Sequence, residues 1–282
     1  FSVLSSGCIA RHRSPVGGLT HALVADHVVH GRVVFPGAAY LELARAAVCA
    51  AASAGTALQA VFFLRPLAVE AGGLQIECSV SGGRFDVRSG GTDDVELPAD
   101  GAGVHCSGAF VHGRSGGGQP ADHASRQGHM CVHGAGVSML YAVFDLAGLQ
   151  YGPGYRTLYR AWGGVGCASA RLHVRSTQAG TQVHPADLDD ALCVVALSAD
   201  SEVGGETRLP FAVDVALLQG GGSELWAAVE EQGAGAASVQ LGGLSVRPQA
   251  HLDGFKSRAL RARAVTAAQR HLYATEWRSA DL

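Results

Sequence analysis

One pattern, met twice, constrains this chain more than any other: a single helical stretch followed by short apolar runs cut apart by glycine. Glycine supplies 39 of the 282 residues, so continuous apolar stretches stay short and turns are frequent. In the first instance Tyr40, Leu43, Ala44, Ala47 and Val48 recur at helical spacing behind Pro36, a residue suited to a first turn, and the helix is predicted to end near Gly55. The runs Leu58 to Val69, Leu74 to Val80, Phe85 to Val87 and Val104 to Val111 then read as strands of an antiparallel sheet. In the second instance a helix is predicted from about Asp187 to Leu197, before strands near Phe211 to Gln219, Leu225 to Glu230 and Ala237 to Arg247. Ahead of it, Val137 to Leu146 reads as helical, and Tyr155 to Trp162 and Ala168 to Val174 as extended. One helix against a curved antiparallel sheet, repeated once, is an α+β layer architecture. Residues 114–129, rich in glycine and polar side chains without periodicity, read as a loop or linker. The predicted organisation is a first half over 1–115, a linker over 116–136 and a second half over 137–250.

Composition narrows the function. Apolar residues make up 48% and charged residues 16%, which is the balance of a packed globular protein. Net charge is −3, with no block of like charge, so nothing draws the chain to nucleic acid or to a membrane surface. Apolar runs such as Ala191 to Leu197 fall well short of the roughly 20 residues that span a bilayer. Residues 1–20 carry Arg11, His12 and Arg13 without the apolar core of a secretory signal, so a cytoplasmic protein or a piece of a larger one is expected. The seven cysteines are scattered, odd in number and without a C-x-x-C pair, which reads as free buried thiols.

Three segments could carry chemistry. Asp26 to Gly37 places His27, His30 and a glycine-containing loop just before the first helix, whose N-terminal amides favour developing negative charge; the plainer reading is a loop histidine with a local hydrogen bond. His184 to Cys193 opens the second helix with Asp187, Asp189 and Asp190, where acids ordinarily cap or complement the helix dipole. Tyr151-Gly152-Pro153-Gly154-Tyr155 reads as a turn.

These segments together resemble a known family. His27, Gly31 and Pro36 match the H-x-x-x-G-x-x-x-x-P signature of polyketide synthase dehydratase domains, with similar flanks at Leu23 to Asp26 and Phe35 to Glu42. Leu149 to Pro153 resembles the family's Y-G-P motif, and His184-Pro185 through Asp189 its H-P-x-x-x-D segment. All three stand in family order, and Leu272 to Arg278 resembles the segment that leads out of such domains, making 251–282 an exit segment. The resemblance implies a double hotdog fold and an enzyme that removes water from a 3-hydroxyacyl thioester carried on the phosphopantetheine arm of an acyl carrier protein, leaving a 2,3-enoyl thioester. It puts the general base at His27 and the general acid at Asp189, and treats Asp187 and Asp190 as solvated or capping residues. Gly31, Gly152 and Pro153 are expected to shape the site, Tyr151 to bond or line it, and amides near Gly37 to face the enolate oxygen. An imidazole, with an ordinary pKa of about 6.5, suits proton abstraction, whereas a carboxylic acid must be held well above its usual 3.9 to donate near neutrality. No metal and no bound cofactor is expected. The carrier protein, neighbouring synthase domains and a homodimer are the implied partners.

One position departs from the family. Four residues after the catalytic aspartate a glutamine or histidine is usual, and here it is Cys193, a poor hydrogen-bond donor on the same helix face. The alternatives are therefore altered proton transfer, as in a double-bond isomerase or cyclase, or a weak acyl-chain-binding module. A nucleophilic Cys193 facing His27 is a further alternative. His123, His129, Cys131 and His133 fit no standard zinc spacing.

Overall fold

The first helix has almost no polar side. In α2 (Gly37–Ala51), Ala38 through Glu42 are all buried in succession, followed by Ala44, Ala47 and Val48. A helix apolar on all sides must be wrapped rather than laid on a surface, and alanines let the wrapping sheet come close. Its lone buried carboxylate, Glu42, is matched by Arg45, which donates to it from Nε at 2.8 Å and Nη2 at 2.7 Å. Glu42 also accepts from the Gln182 amide at 2.6 Å, tying α2 to the approach to the second helix.

A computed structural model describes residues 2–6, 9–51, 56–69, 73–90, 103–112, 133–198, 206–220, 224–243 and 248–260. Around α2 run β1 (Ser2–Ser6), β2 (Ile9–Pro15), β6 (Gln75–Ser81), β7 (Arg84–Gly90), β8 (Val104–His112) and β5 (Thr56–Phe63), in that spatial order. Around α4 (Pro185–Cys193) run β13 (Arg208–Leu218), β16 (Ala250–Ala259), β15 (Ala236–Gly242), β14 (Leu225–Gly233), β12 (Cys167–Leu172), β11 (Leu158–Gly164) and β9 (His133–Ala135). The two sets are one sheet: β5 pairs antiparallel with β13, setting Leu58 opposite Ala216 and Val61 opposite Val213. Among the described residues this makes thirteen strands in a continuous sheet. A second, three-stranded sheet in the order β10 (Leu149–Tyr151), β3 (His27–Val29), β4 (Arg32–Val33) stands apart from it and carries the first histidine of interest. Two further helices, α1 (Gly18–Val24) and α3 (Val137–Leu146), complete the described elements.

Several expectations need correction. The strand predicted over Leu58 to Val69 stops at Phe63; beyond Pro66, residues 67–69 run beside β4, with Phe35 donating to Leu67 and Val69 to Val33, each at 2.8 Å. Residues 155 to 157 are not extended: Pro153–Tyr155 is a 3-10 turn and β11 begins at Leu158. The second helix starts at Pro185 and ends at Cys193, with Val194–Leu197 tightening into a 3-10 turn. The linker expected over 116–136 ends in a strand, because β9 pairs with β11 at the sheet edge. The exit segment proposed from residue 251 also begins inside the sheet, since β16 lies between β13 and β15. Its buried Ala250, Leu252 and Phe255 alternate with His251, Asp253 and Lys256, which break up the apolar run. The residues between the halves over 113–132, including His123, His129 and Cys131, and the segment Leu272 to Arg278 lie outside the described residues. Cys49, Cys78, Cys106, Cys167 and Cys193 are free thiols. No described helix is long and apolar enough to cross a membrane.

Candidate active site

His27 opens β3 and is held from both sides. His30 and Gly31 form the two-residue turn to β4 with φ of 49° and 75°, the left-handed region that Gly31 enters without strain. Across the hairpin, the His27 Nδ1 lies 2.7 Å from the Val34 carbonyl oxygen. A carbonyl only accepts, so Nδ1 carries the proton and Nε2 of the neutral ring presents its lone pair. On the other side Tyr151 of β10 pairs directly with His27, and the rings of Tyr151 and Tyr155 pack against the imidazole at 5.6 and 5.5 Å.

The glycines of the Tyr151 turn answer to one neighbour. Asp26 accepts the Gly152 amide on its backbone carbonyl at 2.7 Å and the Gly154 amide on Oδ2 at 2.6 Å. A Cβ at Gly152 would lie 2.4 Å from Asp26 Oδ1, and one at Gly154 2.7 Å from Oδ2, so a side chain at either position would displace the Asp26 carboxylate. Pro153 then starts the 3-10 turn that seats Tyr155 behind His27.

Asp189 comes from the other half. The helix that bears it is capped by His184, whose Nδ1 accepts the Ala186 amide at 3.2 Å, with Pro185 in the first turn. Burial and the nearby Arg175 push His184 down to about 4, which keeps it neutral and able to accept. Asp189 Oδ2 sits 3.8 Å from His27 Nε2, both side chains 6% exposed, and has no hydrogen-bond partner among the described residues. That gap is too long for a hydrogen bond. Burial raises the Asp189 pKa above the usual carboxylate range, against the lowering effect of His27 and of a bond from Tyr151. A desolvated carboxyl with a raised proton affinity thus faces an imidazole nitrogen across a narrow gap.

Two cavities flank this pair. One, about 600 Å³, is lined by His27, Gly37, Tyr40, Arg65 and Arg258 among others. The other, about 440 Å³, is lined by Asp189, Tyr151, Cys193, Phe144, Leu192 and Phe255 among others, and Pro210 borders both. Pro36 accepts the first helical amides, from Ala39 at 3.0 Å and Tyr40 at 3.3 Å, so the earlier amides of α2 stay outside the intrahelical ladder beside the first cavity. Gly37 is pressed on Pro210, where a Cβ would come within 2.9 Å.

Asp187 and Asp190 are neither solvated nor mere caps, contrary to expectation: they are 2% and 1% exposed. Asp187 accepts from Arg175 Nε at 2.6 Å. Asp190 accepts from Tyr141 at 2.9 Å, from the Thr157 amide at 2.6 Å and from the Thr157 hydroxyl at 2.5 Å. Burial pushes Asp190 up to about 7 despite those donors. The sequence offered no sign of these partners, which lie 12 to 49 residues away.

Cys193 bonds the Tyr151 hydroxyl at 3.4 Å. Burial, with Asp189 and Asp190 nearby, pushes its thiol well up, so a thiolate nucleophile is disfavoured. Since Cys193 lines the second cavity, a glutamine there has room to reach Asp189. Donating to the carboxylate would favour its ionised form. Cys193→Gln is therefore expected to move the alkaline limb of the rate profile to lower pH, as measured by kcat across a pH series.

The family model described as "Polyketide synthase dehydratase domain" matches residues 9–90, and that described as "Polyketide synthase dehydratase N-terminal domain" matches residues 119–267. The chain belongs to the polyketide synthase dehydratase family, whose members are carbon–oxygen lyases. It is 32% identical over 251 residues to the polyketide synthase ThaG of Burkholderia thailandensis, covering 84% of this chain and 4% of that protein. Over 206 residues it is 27% identical to the erythronolide synthase EryA2 of Saccharopolyspora erythraea, covering 71% of this chain and 6% of that protein. The chain thus spans a small fraction of the curated relatives it matches. The dehydratase domain from the CurK module of curacin polyketide synthase superposes with a TM-score of 0.80 at 21% identity, covering 93% of this chain and 98% of that one. The fold is a double hotdog, each helix wrapped by its own part of the sheet.

Proposed function

We propose that this domain removes water from a 3-hydroxyacyl thioester delivered by an acyl carrier protein, with His27 as base and Asp189 as acid. The observation that carries this reading is the buried pair itself: an imidazole fixed as the Nδ1–H tautomer, its Nε2 3.8 Å from a carboxyl raised by burial, with a cavity on either side. The α-carbon proton and the β-hydroxyl belong to adjacent carbons, so groups this close can serve both. Nε2 takes the α proton, the electron pair forms the 2,3 double bond, and the β carbon–oxygen bond breaks. Asp189 gives its proton to the departing hydroxide, which leaves as water. A proton passed from the imidazolium to the carboxylate resets both groups. Amides near Gly37 are suited to the negative charge that gathers on the thioester oxygen.

Exposed Arg65 and Arg258 on the first cavity put positive charge where a phosphopantetheine arm would enter, and Phe144, Leu149, Leu192 and Phe255 in the second cavity suit the acyl chain. The CurK dehydratase supports the assignment by analogy, since a histidine-to-phenylalanine and an aspartate-to-asparagine variant of it are each described as inactive. No cofactor enters the reaction so written. Neighbouring synthase domains, a homodimer and a cytoplasmic location go with this reading.

The test is turnover of a 3-hydroxyacyl thioester, on N-acetylcysteamine and on carrier protein, followed by mass spectrometry. Loss of one water is expected, and a folded protein that leaves both substrates untouched overturns the proposal. Offering a 2,3-enoyl thioester in the same assay reports double-bond migration, the alternative raised by Cys193.

A further inference from the structure

We propose that Arg175 is a positioning residue, which sets the separation of His27 and Asp189 by joining the helix that carries the acid to the turn that holds the base; this rests on the dehydratase reading above. The connection is continuous. Arg175 Nε donates to Asp187 Oδ1 at 2.6 Å, two residues before Asp189 in α4. Its Nη2 donates to the Gly154 carbonyl at 2.5 Å. The Gly154 amide donates to Asp26 Oδ2 at 2.6 Å, and Asp26 is the residue before His27. One guanidinium therefore lies between the two halves of the reacting pair, and each link is short.

The links are also stiff. Gly152 and Gly154 pack so closely on Asp26 that a Cβ on either would push its carboxylate aside, which seats the turn tightly against the residue before His27. Asp187 is 2% exposed, and the Arg175 side chain is 19% exposed, so water competes little for this ion pair. Cys193, one turn beyond Asp189, is engaged with Tyr151, and Asp189 Oδ2 has no hydrogen-bond partner among the described residues. Tyr151 reaches this helix from β10 through Asp189 and Cys193, and Arg175 is a second tie between the helix and the base. Asp190 holds the far end of the same turn through Thr157, so Arg175 and the Tyr151 hydroxyl are the links that reach back toward His27. The planar fork of arginine can address a carboxylate and a carbonyl together, whereas a lysine presents one point charge and cannot span both.

The experiment compares Arg175→Lys and Asp187→Asn with the unaltered chain, using kcat and KM for a 3-hydroxyacyl thioester, the pH profile, thermal melting and the His27 side-chain resonances in 15N NMR. Misplacement by about 1 Å can cost on the order of 10²-fold in rate. Arg175→Lys is expected to remain folded and to lose kcat on that scale with little change in KM. Its alkaline limb should move to lower pH as Asp189 becomes better solvated, and the His27 resonances should shift. Asp187→Asn, which keeps the shape and an acceptor, should show the same changes more weakly. Folded variants with unaltered kcat, pH profile and His27 resonances overturn the proposal, as does a rate loss that only tracks the fraction unfolded. An unaltered chain that releases no water sinks the dehydratase reading instead, and the His27 resonances then still decide whether Arg175 sets the pair.

Discussion

His27→Ala is expected to lower kcat by about 10³-fold, within the roughly 10²–10⁴ that a positioned acid or base contributes. The loss follows from the site having one imidazole lone pair turned toward Asp189, fixed there by the Val34 carbonyl. No other described side chain replaces it at the α proton: Tyr151 and Tyr155 beside it are pushed well above their ordinary values by burial and stay protonated. Binding should change less than turnover, because both cavities persist around the missing ring. The Val34 carbonyl loses its side-chain partner, at a cost on the order of 1–3 kcal/mol, so melting must be measured alongside the rate. Partial recovery of rate by added imidazole would separate lost chemistry from lost structure. A folded His27→Ala protein that turns over at the original rate would remove His27 from the mechanism.

Asp189→Asn is expected to cost a similar factor, about 10³-fold in kcat or roughly 4 kcal/mol of barrier. An amide fills the same space but cannot protonate a departing hydroxide. The direction of the Asp189 shift adds a second readout. Its folded-state pKa is raised, so the protonated form required of an acid is lost as pH rises through that value, and the unaltered enzyme should show an alkaline limb there. The same shift acts on stability. A carboxyl raised on folding binds its proton more tightly in the native state, so its contribution is fully present below the unfolded value and is lost as pH rises through the folded one. Asparagine has no such loss, and above that pH the variant should melt no lower than the original. Rate against pH and melting at two pH values check both statements. Full activity of the asparagine protein at any pH would exclude Asp189 as the acid.

Both residues were singled out because each sits in a segment that resembles a family motif; read alone, the segments pointed to a loop histidine and to capping acids. The two central helices were also legible, the first through its periodic apolar residues, although the second begins at Pro185, two residues before its predicted start. What escaped has a common cause: its meaning depends on a distant neighbour. β2 reads Ile-Ala-Arg-His-Arg-Ser-Pro and looks polar, yet it pairs along its length with β6, and Arg13 meets the buried Glu77 there at 2.5 Å. β16 was hidden by charges that face outward between buried residues. Asp187 and Asp190 looked like ordinary acids of a first helical turn, and only the fold supplies Arg175, Thr157 and Tyr141 to bury them. Asp26 carried no signal of its own, although two glycines spaced two apart in the Tyr151 turn are what its close approach demands.

The pairing of β5 with β13 has a consequence for how a substrate arrives. Acid and base come from opposite halves, but a backbone ladder runs across their boundary, so parting the halves would break that ladder. Such an enzyme works less like a jaw than like a threaded die. On the proposed function, an acyl chain that reaches from the first cavity to the second would enter end first beside Pro210, which lines both. Branches close to the thioester would then be screened by width, and chain length by the depth beyond.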